Sequence, residues 1–324
     1  MRSDGYPALT GVGASRLVEG PWRVIVVGAG GWLGLATLEL LHGLFGDTFE
    51  ARVKGFGSSA RSLALRGGVT VEQQPLFRLA GLPAAPSLVL HLAFLTQERA
   101  KMMPESDYIA TNRAISGTVL AALDLIGAEG VFVPSSGAVY MVDQPQTQAS
   151  MRLYGRLKLE DEERFGAWAA TPGKHAAIAR VFNLSGPYIN KQSSYALACF
   201  IADALAGRPI EIRATRPVLR SYVAIDELMS VVAGALTDGA SGSVLFDTAG
   251  DDVYEMAEIA MAVAGALGRS KAVARAVLTD AEPDRYCGDG AVYRKMRERF
   301  GVRPVSFGQQ IIETSRFMAD AAAA

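Results

Sequence analysis

A tyrosine and a lysine stand four positions apart in the segment Tyr154-Gly-Arg-Leu-Lys158. If the segment is helical, the two side chains share a face, because residues three and four apart are neighbours on a helix surface. A lysine charge favours the ionised phenol, so we expect the tyrosine pKa to fall below its ordinary value of about 10. Such a tyrosine can exchange a proton with a carbonyl or hydroxyl oxygen. The same spacing also occurs by chance on exposed helices.

Hydroxyl side chains precede this pair in the segment Val133-Pro-Ser-Ser136-Gly-Ala-Val-Tyr140. The apolar residues before the serines predict a strand that ends near Ser136. Hydroxyls at the carboxyl end of a parallel strand face the edge of the sheet at which ligands bind. An ordinary turn from strand to loop would give the same local pattern.

A glycine-rich segment, Gly28-Ala-Gly-Gly31-Trp-Leu-Gly34, lies between a predicted strand and a predicted helix. Glycines at this place let backbone N–H groups approach a pyrophosphate at the N-terminus of the helix. The spacing of Gly28, Gly31 and Gly34 differs from the commoner G-x-G-x-x-G, and a glycine-rich turn can occur in any α/β protein. The segment therefore predicts a dinucleotide site mainly through its position.

The elements that carry these segments alternate between strands and helices. Short apolar runs predict strands at residues 23–28, 52–56, 87–93, 130–135 and 176–182, and helical patterns occupy residues 107–126 and 154–168. This alternation predicts the α/β class, with a Rossmann-type, doubly wound parallel sheet.

The pattern changes after residue 182, where the predicted elements become shorter. We expect residues 21–182 to form the dinucleotide-binding domain and residues 183–324 a smaller C-terminal substrate-binding lobe, although residues 243–248 could return to the main sheet. Residues 1–20 are rich in Gly, Ser and Pro and lack the features of a signal peptide, so they predict a flexible N-terminal tail.

In the order and spacing of its motifs the chain resembles the extended short-chain dehydrogenases, and among them the nucleotide-sugar epimerases and reductases. The resemblance covers nearly everything after residue 21. Supporting matches are His91-Leu-Ala93, Thr111-Asn112 with Gly117-Thr118, Arg180-Val-Phe-Asn183-Leu-Ser-Gly186-Pro187, Gly207-Arg-Pro-Ile210 and Arg220-Ser-Tyr-Val-Ala-Ile-Asp226-Glu-Leu.

The resemblance implies a catalytic role for three residues. Tyr154 would be the acid–base residue, Lys158 would hold the nicotinamide ribose and tune Tyr154, and Ser136 would bind the reacting oxygen of the substrate. The resemblance also implies contacts between the cofactor and a set of residues around the glycine-rich segment and after a strand, which are Gly28, Gly31, Trp32, Leu33, Gly34, His91, Leu92 and Ala93.

Two further residues would bind the substrate. The resemblance implies that Asn183 and Arg220 face a substrate diphosphate, and a guanidinium fork matches phosphate geometry. The alternative for Arg220 is a salt bridge to Asp226 or to another neighbour.

Three departures from the family pattern bear on the reaction. Sugar 4,6-dehydratases carry an Asp-Glu pair after the catalytic hydroxyl residue, whereas this chain has Gly137 and Ala138, which disfavours water elimination. Met141 stands where the family usually has glycine. The stretch from Ser136 to Tyr154 is shorter than in many sugar epimerases, so we expect a trimmed loop over the sugar.

The residues after the second strand bear on the choice of cofactor. An acid there would hydrogen-bond the adenosine ribose and repel a 2′-phosphate, but no acid occurs between Val53 and Leu65. The hydroxyls of Ser58 and Ser59 and the guanidinium of Arg61 suit a phosphate dianion. A solvated basic loop is the alternative interpretation. We predict NADP as cofactor, with NAD as the second choice.

The composition narrows the class of protein further. The chain has 324 residues and a net charge of −1, which gives no indication of nucleic acid or an anionic membrane as partner. The nearly uncharged run 24–45 contains glycines, Glu39 and His42, and fits a buried strand and helix better than a membrane span. Cys199 and Cys287 form no metal-ligand pattern and suggest reduced thiols in a cytoplasmic protein.

The sequence and the resemblance together predict an NAD(P)-dependent ketoreductase that transfers a hydride to a nucleotide-linked 4-keto sugar. A nucleotide-sugar 4-epimerase would use the same three catalytic residues. More distant alternatives are a reductase of a non-sugar carbonyl and a non-catalytic NADP-binding sensor, against which the intact catalytic set argues. By analogy with the family we expect a homodimer.

Overall fold

The computed structural model describes residues 7–268 and 273–323. In chain order its strands are β1 (Arg23–Val27), β2 (Val53–Gly57), β3 (Arg61–Ala64), β4 (Thr70–Pro75), β5 (Ser87–His91), β6 (Ala128–Ser136), β7 (His175–Val181), β8 (Leu184–Ser185), β9 (Ile210–Ile212), β10 (Val218–Arg220), β11 (Val223–Ala224), β12 (Gly242–Asp247), β13 (Tyr254–Glu255), β14 (Val273–Arg275) and β15 (Asp284–Tyr286). The α-helices are α1 (Gly11–Glu19), α2 (Trp32–Phe45), α3 (Phe49–Arg52), α4 (Glu105–Leu123), α5 (Ala149–Ala169), α6 (Ala196–Leu205), α7 (Ile225–Leu236), α8 (Met256–Ala266), α9 (Ala291–Phe300) and α10 (Phe307–Ala323).

Eight strands form one sheet in the order β12-β7-β6-β5-β1-β2-β4-β3. All neighbouring pairs are parallel except β3 and β4, which run antiparallel at the edge. The strand order proceeds outward from β1 in both directions, which creates a crevice at the carboxyl ends of β1 and β5. This arrangement confirms the predicted α/β class and the doubly wound, Rossmann-type sheet.

The two faces of the sheet are covered by different helices. Successive side chains of a strand point to opposite faces. In β1, Val24 and Val26 pack with α2 and α7, whereas Ile25 and Val27 pack with α4 and α5. Burial on both faces explains why the central strands read as continuous apolar runs.

A smaller lobe follows β7, with its own apolar core. Helices α6, α8 and α10 supply most of this core, and short strands form three small sheets, β13-β10-β15, β11-β8 and β14-β9. The chain then returns once to the main sheet, because β12 pairs in parallel with β7 from Gly242 opposite His175. Residues 242–247 thus belong to the main sheet, which agrees with the possibility predicted for residues 243–248.

The N-terminal segment is ordered where the structure describes it. Residues 11–19 form α1, which buries Ala14 and Leu17, and Arg52 donates hydrogen bonds to the carbonyl oxygens of Leu17 and Gly20. Gly13 lies so close to α7 that a Cβ on it would be 2.2 Å from the amide nitrogen of Gly234. The expectation of a flexible tail is wrong for these residues, and residues 1–6 lie outside the described part.

The segment after the second strand is an edge hairpin and not only a loop. Arg61–Ala64 pairs antiparallel with β4, from Arg61 opposite Gln73 to Ala64 opposite Thr70. Three of the four β3 side chains are exposed, so the strand has no continuous apolar run.

None of the described helices is long and apolar enough to cross a membrane.

Candidate active site

The three predicted catalytic residues come together at the carboxyl edge of the sheet. Strand β6 ends at Ser136, and α5 carries Tyr154 and Lys158 one turn apart. Ser136 and Tyr154 line a cleft of about 490 Å³, and Lys158 lies buried behind them. A hydroxyl, a phenol and an ammonium group therefore stand at one place in the fold.

The Lys158 ammonium lies in a buried pocket. Its Nζ donates a hydrogen bond of 2.8 Å to the carbonyl oxygen of Pro134 and lies 3.7 Å from the centre of the Phe94 ring. Burial lowers the pKa of Lys158 to about 8, against the opposing effect of Asp161 and Glu162. Lys158 is thus mostly charged at neutral pH and loses its proton only slightly above it.

The Tyr154 phenol responds to the same burial in the opposite direction. Burial raises the pKa of Tyr154 above its ordinary value, Tyr286 adds to the rise, and the Ser136 hydroxyl lowers it. The Lys158 Nζ lies 6.0 Å from the centre of the Tyr154 ring. The predicted lowering of the Tyr154 pKa is wrong for this structure, because burial raises that pKa. Tyr154 therefore carries its proton at neutral pH.

A second tyrosine reaches the same site from the smaller lobe. The hydroxyl of Tyr286 lies 3.2 Å from the Ser136 Oγ, which also accepts a hydrogen bond of 3.2 Å from the amide of Ala138. Pairing of β10 with β15 brings Tyr286 into place, and its ring packs 4.8 Å from that of Phe182. The sequence does not predict a role for Tyr286, since β15 has three residues and no recognisable spacing to the other motifs.

The positions of the dehydratase acid pair have no room for acids. Gly137 and Ala138 are buried, and a Cβ on Gly137 would come within 2.4 Å of the Phe182 ring. Two carboxylates do line the cleft, but each holds a cation: Glu98 pairs with Lys191 at 2.6 Å, and Asp284 pairs with an arginine described next.

The two predicted substrate residues lie farther along the cleft. Arg220 lines both the cleft and an adjoining cavity of about 830 Å³. Its salt-bridge partner is Asp284, at 3.1 Å, and not Asp226. The Asn183 amide donates hydrogen bonds to the carbonyl oxygens of Ser221, at 3.1 Å, and Tyr286, at 3.2 Å. Asn183 thus stabilises the wall of the cleft. Arg220 lies where the cleft meets the adjoining cavity.

The glycine-rich segment forms a cradle next to β1. Gly28 has a φ of +87°, and a Cβ there would be 2.6 Å from the amide nitrogen of Ala93. A Cβ on Gly34 would be 2.2 Å from the Gly28 carbonyl oxygen, whereas Gly31 faces nearly open space. Gly31 is the N-cap residue of α2, and no side chain caps this end of the helix. The backbone N–H groups of the first helical turn therefore have no partner within the helix. These features fit the pyrophosphate of a dinucleotide.

Two glycines of this region make room for long side chains. A Cβ on Gly30 would be 1.8 Å from the Arg61 guanidinium, and a Cβ on Gly57 would be 2.4 Å from the Gln73 carboxamide. Ser58 and Ser59 are exposed in the turn between β2 and β3. The structure thus brings Arg61 to the glycine cradle as a neighbour. Gln73, on β4, also contacts the glycine cradle. The sequence does not predict this contact, because β4 itself was not predicted.

The other predicted cofactor contacts have different surroundings. His91 is buried, with Nε2 3.2 Å from the Ser116 Oγ, and burial lowers its pKa to about 3. His91 is therefore a neutral packing residue, while Leu92 and Ala93 follow it toward the cradle. Trp32 donates a hydrogen bond of 2.8 Å to the Pro187 carbonyl oxygen, and Leu33 packs against the core. Within residues 7–268 and 273–323 no cluster of His, Cys, Asp and Glu could hold a metal ion.

A dinucleotide cradle next to a tyrosine that lines the cleft and a buried lysine one helical turn away is the arrangement of the short-chain dehydrogenases, a class of nicotinamide-dependent enzymes. The sequence profile of the NAD dependent epimerase/dehydratase family matches residues 24–246, and the chain belongs to that family. No curated protein sequence matches it significantly.

Solved structures of similar fold extend over nearly the whole chain. A UDP-N-acetylglucosamine 4-epimerase from Methanobrevibacter ruminantium, in complex with UDP-N-acetylmuramic acid, has a TM-score of 0.72 at 17% identity, covering 93% of this chain and 99% of that one. A dTDP-glucose 4,6-dehydratase from Streptomyces venezuelae with NAD bound has a TM-score of 0.67 at 21% identity, covering 93% and 98%. A UDP-glucose 4-epimerase from Thermus thermophilus in complex with NAD has a TM-score of 0.65 at 20% identity, covering 92% and 99%.

Proposed function

We propose that this enzyme is an NADP-dependent ketoreductase that acts on a nucleotide-linked 4-keto sugar. The observation that carries the proposal is that Ser136 and Tyr154 line one cleft, with the Lys158 ammonium buried next to them. Reduction of a carbonyl needs a proton donor at the oxygen, and a neutral phenol in this cleft can supply that proton.

The protein groups divide the work at the reacting oxygen. A bound nicotinamide supplies the hydride. Tyr154 gives its proton to the sugar oxygen, and Ser136 donates a hydrogen bond to the same oxygen in place of its contact with Tyr286. Lys158 provides positive charge behind Tyr154 and stabilises the phenolate that forms. Glu98 and Asp284 are each paired with a cation and offer no free base for eliminating water.

The cofactor corner supports NADP over NAD. No acid lies in residues 53–65, and Arg61 contacts the second glycine of the cradle, with Nη2 3.4 Å from the Gly30 carbonyl oxygen. A 2′-phosphate beside Ser58, Ser59 and Arg61 would meet hydroxyls and a guanidinium. The carboxylate of Glu72, on β4, accepts a hydrogen bond of 2.5 Å from Ser62 on the exposed edge of the sheet.

The shape of the cleft supports a substrate with two parts. The cleft that contains Tyr154 and the adjoining cavity share Ser194, Arg220 and Asp284 as lining residues. A sugar would lie near Tyr154, and a nucleoside diphosphate would extend past Arg220 into the larger cavity. The diphosphate would compete with Asp284 for the Arg220 guanidinium. Loss of Arg220 should therefore weaken binding, and loss of the Asp284 charge should strengthen it.

This substrate class is tested by thermal denaturation with UDP, dTDP, GDP, CDP and ADP. At about 100 times its dissociation constant, a fitting nucleotide adds about 2.7 kcal/mol to the free energy of unfolding. Arg220→Ala should weaken the nucleotide that binds, whereas Asp284→Asn, which frees Arg220, should strengthen it. A lack of response to all five nucleotides would favour a non-sugar carbonyl substrate.

A nucleotide-sugar 4-epimerase is the second candidate. Two of the similar structures described above are 4-epimerases, and an epimerase would use Ser136, Tyr154 and Lys158 for both halves of its reaction. It would retain its cofactor through the whole cycle, because loss of the reduced cofactor would leave a keto intermediate behind.

We also propose that the enzyme is a cytoplasmic homodimer, assembled through α4 and α5 by analogy with the family. Within one chain, an exposed ion pair between Arg113 of α4 and Glu160 of α5 joins the two helices, with an N–O distance of 2.8 Å. Sedimentation equilibrium should give twice the chain mass of 34.3 kDa, and a monomer at micromolar concentration would contradict the assembly.

A further inference from the structure

Gln73 occupies the corner at which the second strand of a dinucleotide fold meets the adenosine ribose. Its side chain is 3% exposed and comes from β4, where Gln73 pairs with Gly55 in the middle of β2, and it extends toward Gly57 at the carboxyl end of β2. A Cβ on Gly57, the last residue of β2, would lie 2.4 Å from the Gln73 Cδ and Oε1. The glycine at position 57 therefore leaves the space that Gln73 fills.

The Gln73 carboxamide joins two parts of the cofactor site. Its Oε1 accepts a hydrogen bond of 3.0 Å from the Gly30 amide in the glycine cradle, and its Nε2 donates one of 2.8 Å to the Ser59 carbonyl oxygen. A carboxamide has two N–H donors, so one remains after the bond to Ser59. Arg61 reaches the same corner from the other side, against Gly30.

The charge of this side chain matters because of its place. A carboxylate at the end of the second strand accepts hydrogen bonds from the ribose hydroxyls and repels a 2′-phosphate. Here a neutral group from the neighbouring strand takes that place, and the guanidinium of Arg61 stands next to it. Glu72, one residue before Gln73, points to the opposite face of β4 and is bound to Ser62.

We propose that Gln73 is the residue that sets the preference for a 2′-phosphorylated cofactor. This proposal rests on the proposed NADP-dependent function. The carboxamide fixes the cradle through Gly30, excludes a carboxylate from the ribose corner, and offers its remaining N–H to the 2′-phosphate. Gln73 is thus both a positioning residue for the glycine cradle and a specificity residue for the cofactor.

The test compares the binding of NADPH and NADH by fluorescence titration, with 2′,5′-ADP and 5′-ADP as competing fragments. Gln73→Glu keeps the shape and adds a charge, and should lower the ratio of NADPH to NADH affinity at least tenfold. Gln73→Met removes the donor without adding a charge, and should lower the same ratio about threefold. Gln74→Glu adds an equal charge from the opposite face of β4 and should leave the ratio within about twofold of wild type.

Thermal denaturation identifies which variants fold, and either Gln73 variant alone is sufficient for the test. A folded variant with the wild-type ratio, or with both cofactors weakened equally, would show that Gln73 only braces the cradle and would overturn the proposal. If the wild-type enzyme prefers NADH, the proposed NADP dependence is wrong and this proposal is wrong with it, whereas an unchanged ratio in the variants of an NADPH-preferring enzyme overturns this proposal alone. If it binds neither cofactor, both proposals are wrong.

Discussion

Burial controls the chemistry of the two central side chains of the site. It keeps the proton on the Tyr154 phenol and at the same time lowers the pKa of the Lys158 ammonium to about 8. Both effects have one cause, which is that a low-dielectric pocket disfavours whichever form is charged. The site therefore contains a proton donor, the Tyr154 phenol, beside a buried cation, the Lys158 ammonium. Burial of this cation lowers the free energy of unfolding.

Replacing Tyr154 by phenylalanine tests the role of the phenol. Tyr154→Phe removes one oxygen and preserves the edge-to-face packing on Phe94, whose ring centre lies 5.7 Å away. We expect kcat to fall by about 100- to 10,000-fold, the range typical of a positioned acid–base group, with the dissociation constant of NADPH unchanged. Tyr140→Phe, at an exposed tyrosine near the cleft, is the matched control. Normal turnover by Tyr154→Phe would refute the assignment.

Replacing Lys158 by methionine should inactivate the enzyme and stabilise its fold. The folded-state pKa of about 8 lies below the ordinary value of 10.5, so the unfolded chain binds the proton more strongly. The cost of burying the charge is therefore fully present below pH 8 and disappears as the pH rises from 8 to 10.5. We expect Lys158→Met to raise the free energy of unfolding at pH 7 by up to about 3 kcal/mol. Loss of the hydrogen bond from Lys158 to the Pro134 carbonyl oxygen will offset part of this gain.

Denaturant unfolding between pH 7 and pH 10 checks this sign. The gain in Lys158→Met should shrink as the pH rises, while Lys295→Met, at an exposed position of α9, should show no such trend. Turnover of the wild-type enzyme should decline above about pH 8, because Lys158 loses its charge there. A variant that is less stable than wild type at every pH would contradict the cost assigned to this lysine.

At the scale of elements, the long central strands and helices follow directly from the sequence, whereas the short edge elements do not. Buried parallel strands such as β1 are recognisable because both faces are apolar. Strand β3 is exposed at three of its four positions, and β15 has only three residues. Pairing with β4 and β10 forms these strands, and a single sequence does not reveal such long-range pairing.

The same limit applies to the site. Ser136, Tyr154, Lys158 and the glycine cradle belong to local motifs, and the sequence located all of them. Tyr286 and Gln73 enter the site from β15 and β4, so their positions depend on contacts between distant segments. The sequence also indicated the wrong direction for the Tyr154 pKa, because spacing reveals a neighbouring charge but not the depth of burial.

The contact between α1 and α7 gives a prediction at this scale. Gly13 has no room for a side chain, since its Cβ would lie 2.2 Å from the amide nitrogen of Gly234. We expect Gly13→Leu to displace α1 and to lower the free energy of unfolding by about 1–3 kcal/mol, as overpacking typically does. Gly43→Leu, at an open position of α2, is the control. NADPH affinity should not change, and a fully stable Gly13→Leu variant would contradict the close packing.

At the scale of the whole molecule, the cleft is closed by contacts between the two lobes. Lys191, in the loop that follows β8, binds Glu98 at 2.6 Å and Thr96 at 2.9 Å in the loop that follows β5. Tyr286 adds a contact to Ser136 at the floor of the cleft. If the proposed function is correct, the substrate enters between lobes that already touch, and its sugar would replace the contact between Tyr286 and Ser136.

The central claim is that the enzyme consumes one NADPH for each 4-keto sugar nucleotide that it reduces. The most direct test records nicotinamide absorbance while the sugar nucleotides are separated and quantified, with protein freed of cofactor before the assay. We predict a loss of NADPH equal to the loss of keto sugar, with cofactor exchange at every turnover. A cofactor that stays with the protein, together with interconversion of two sugar nucleotides and no net change in absorbance, would contradict it and establish an epimerase.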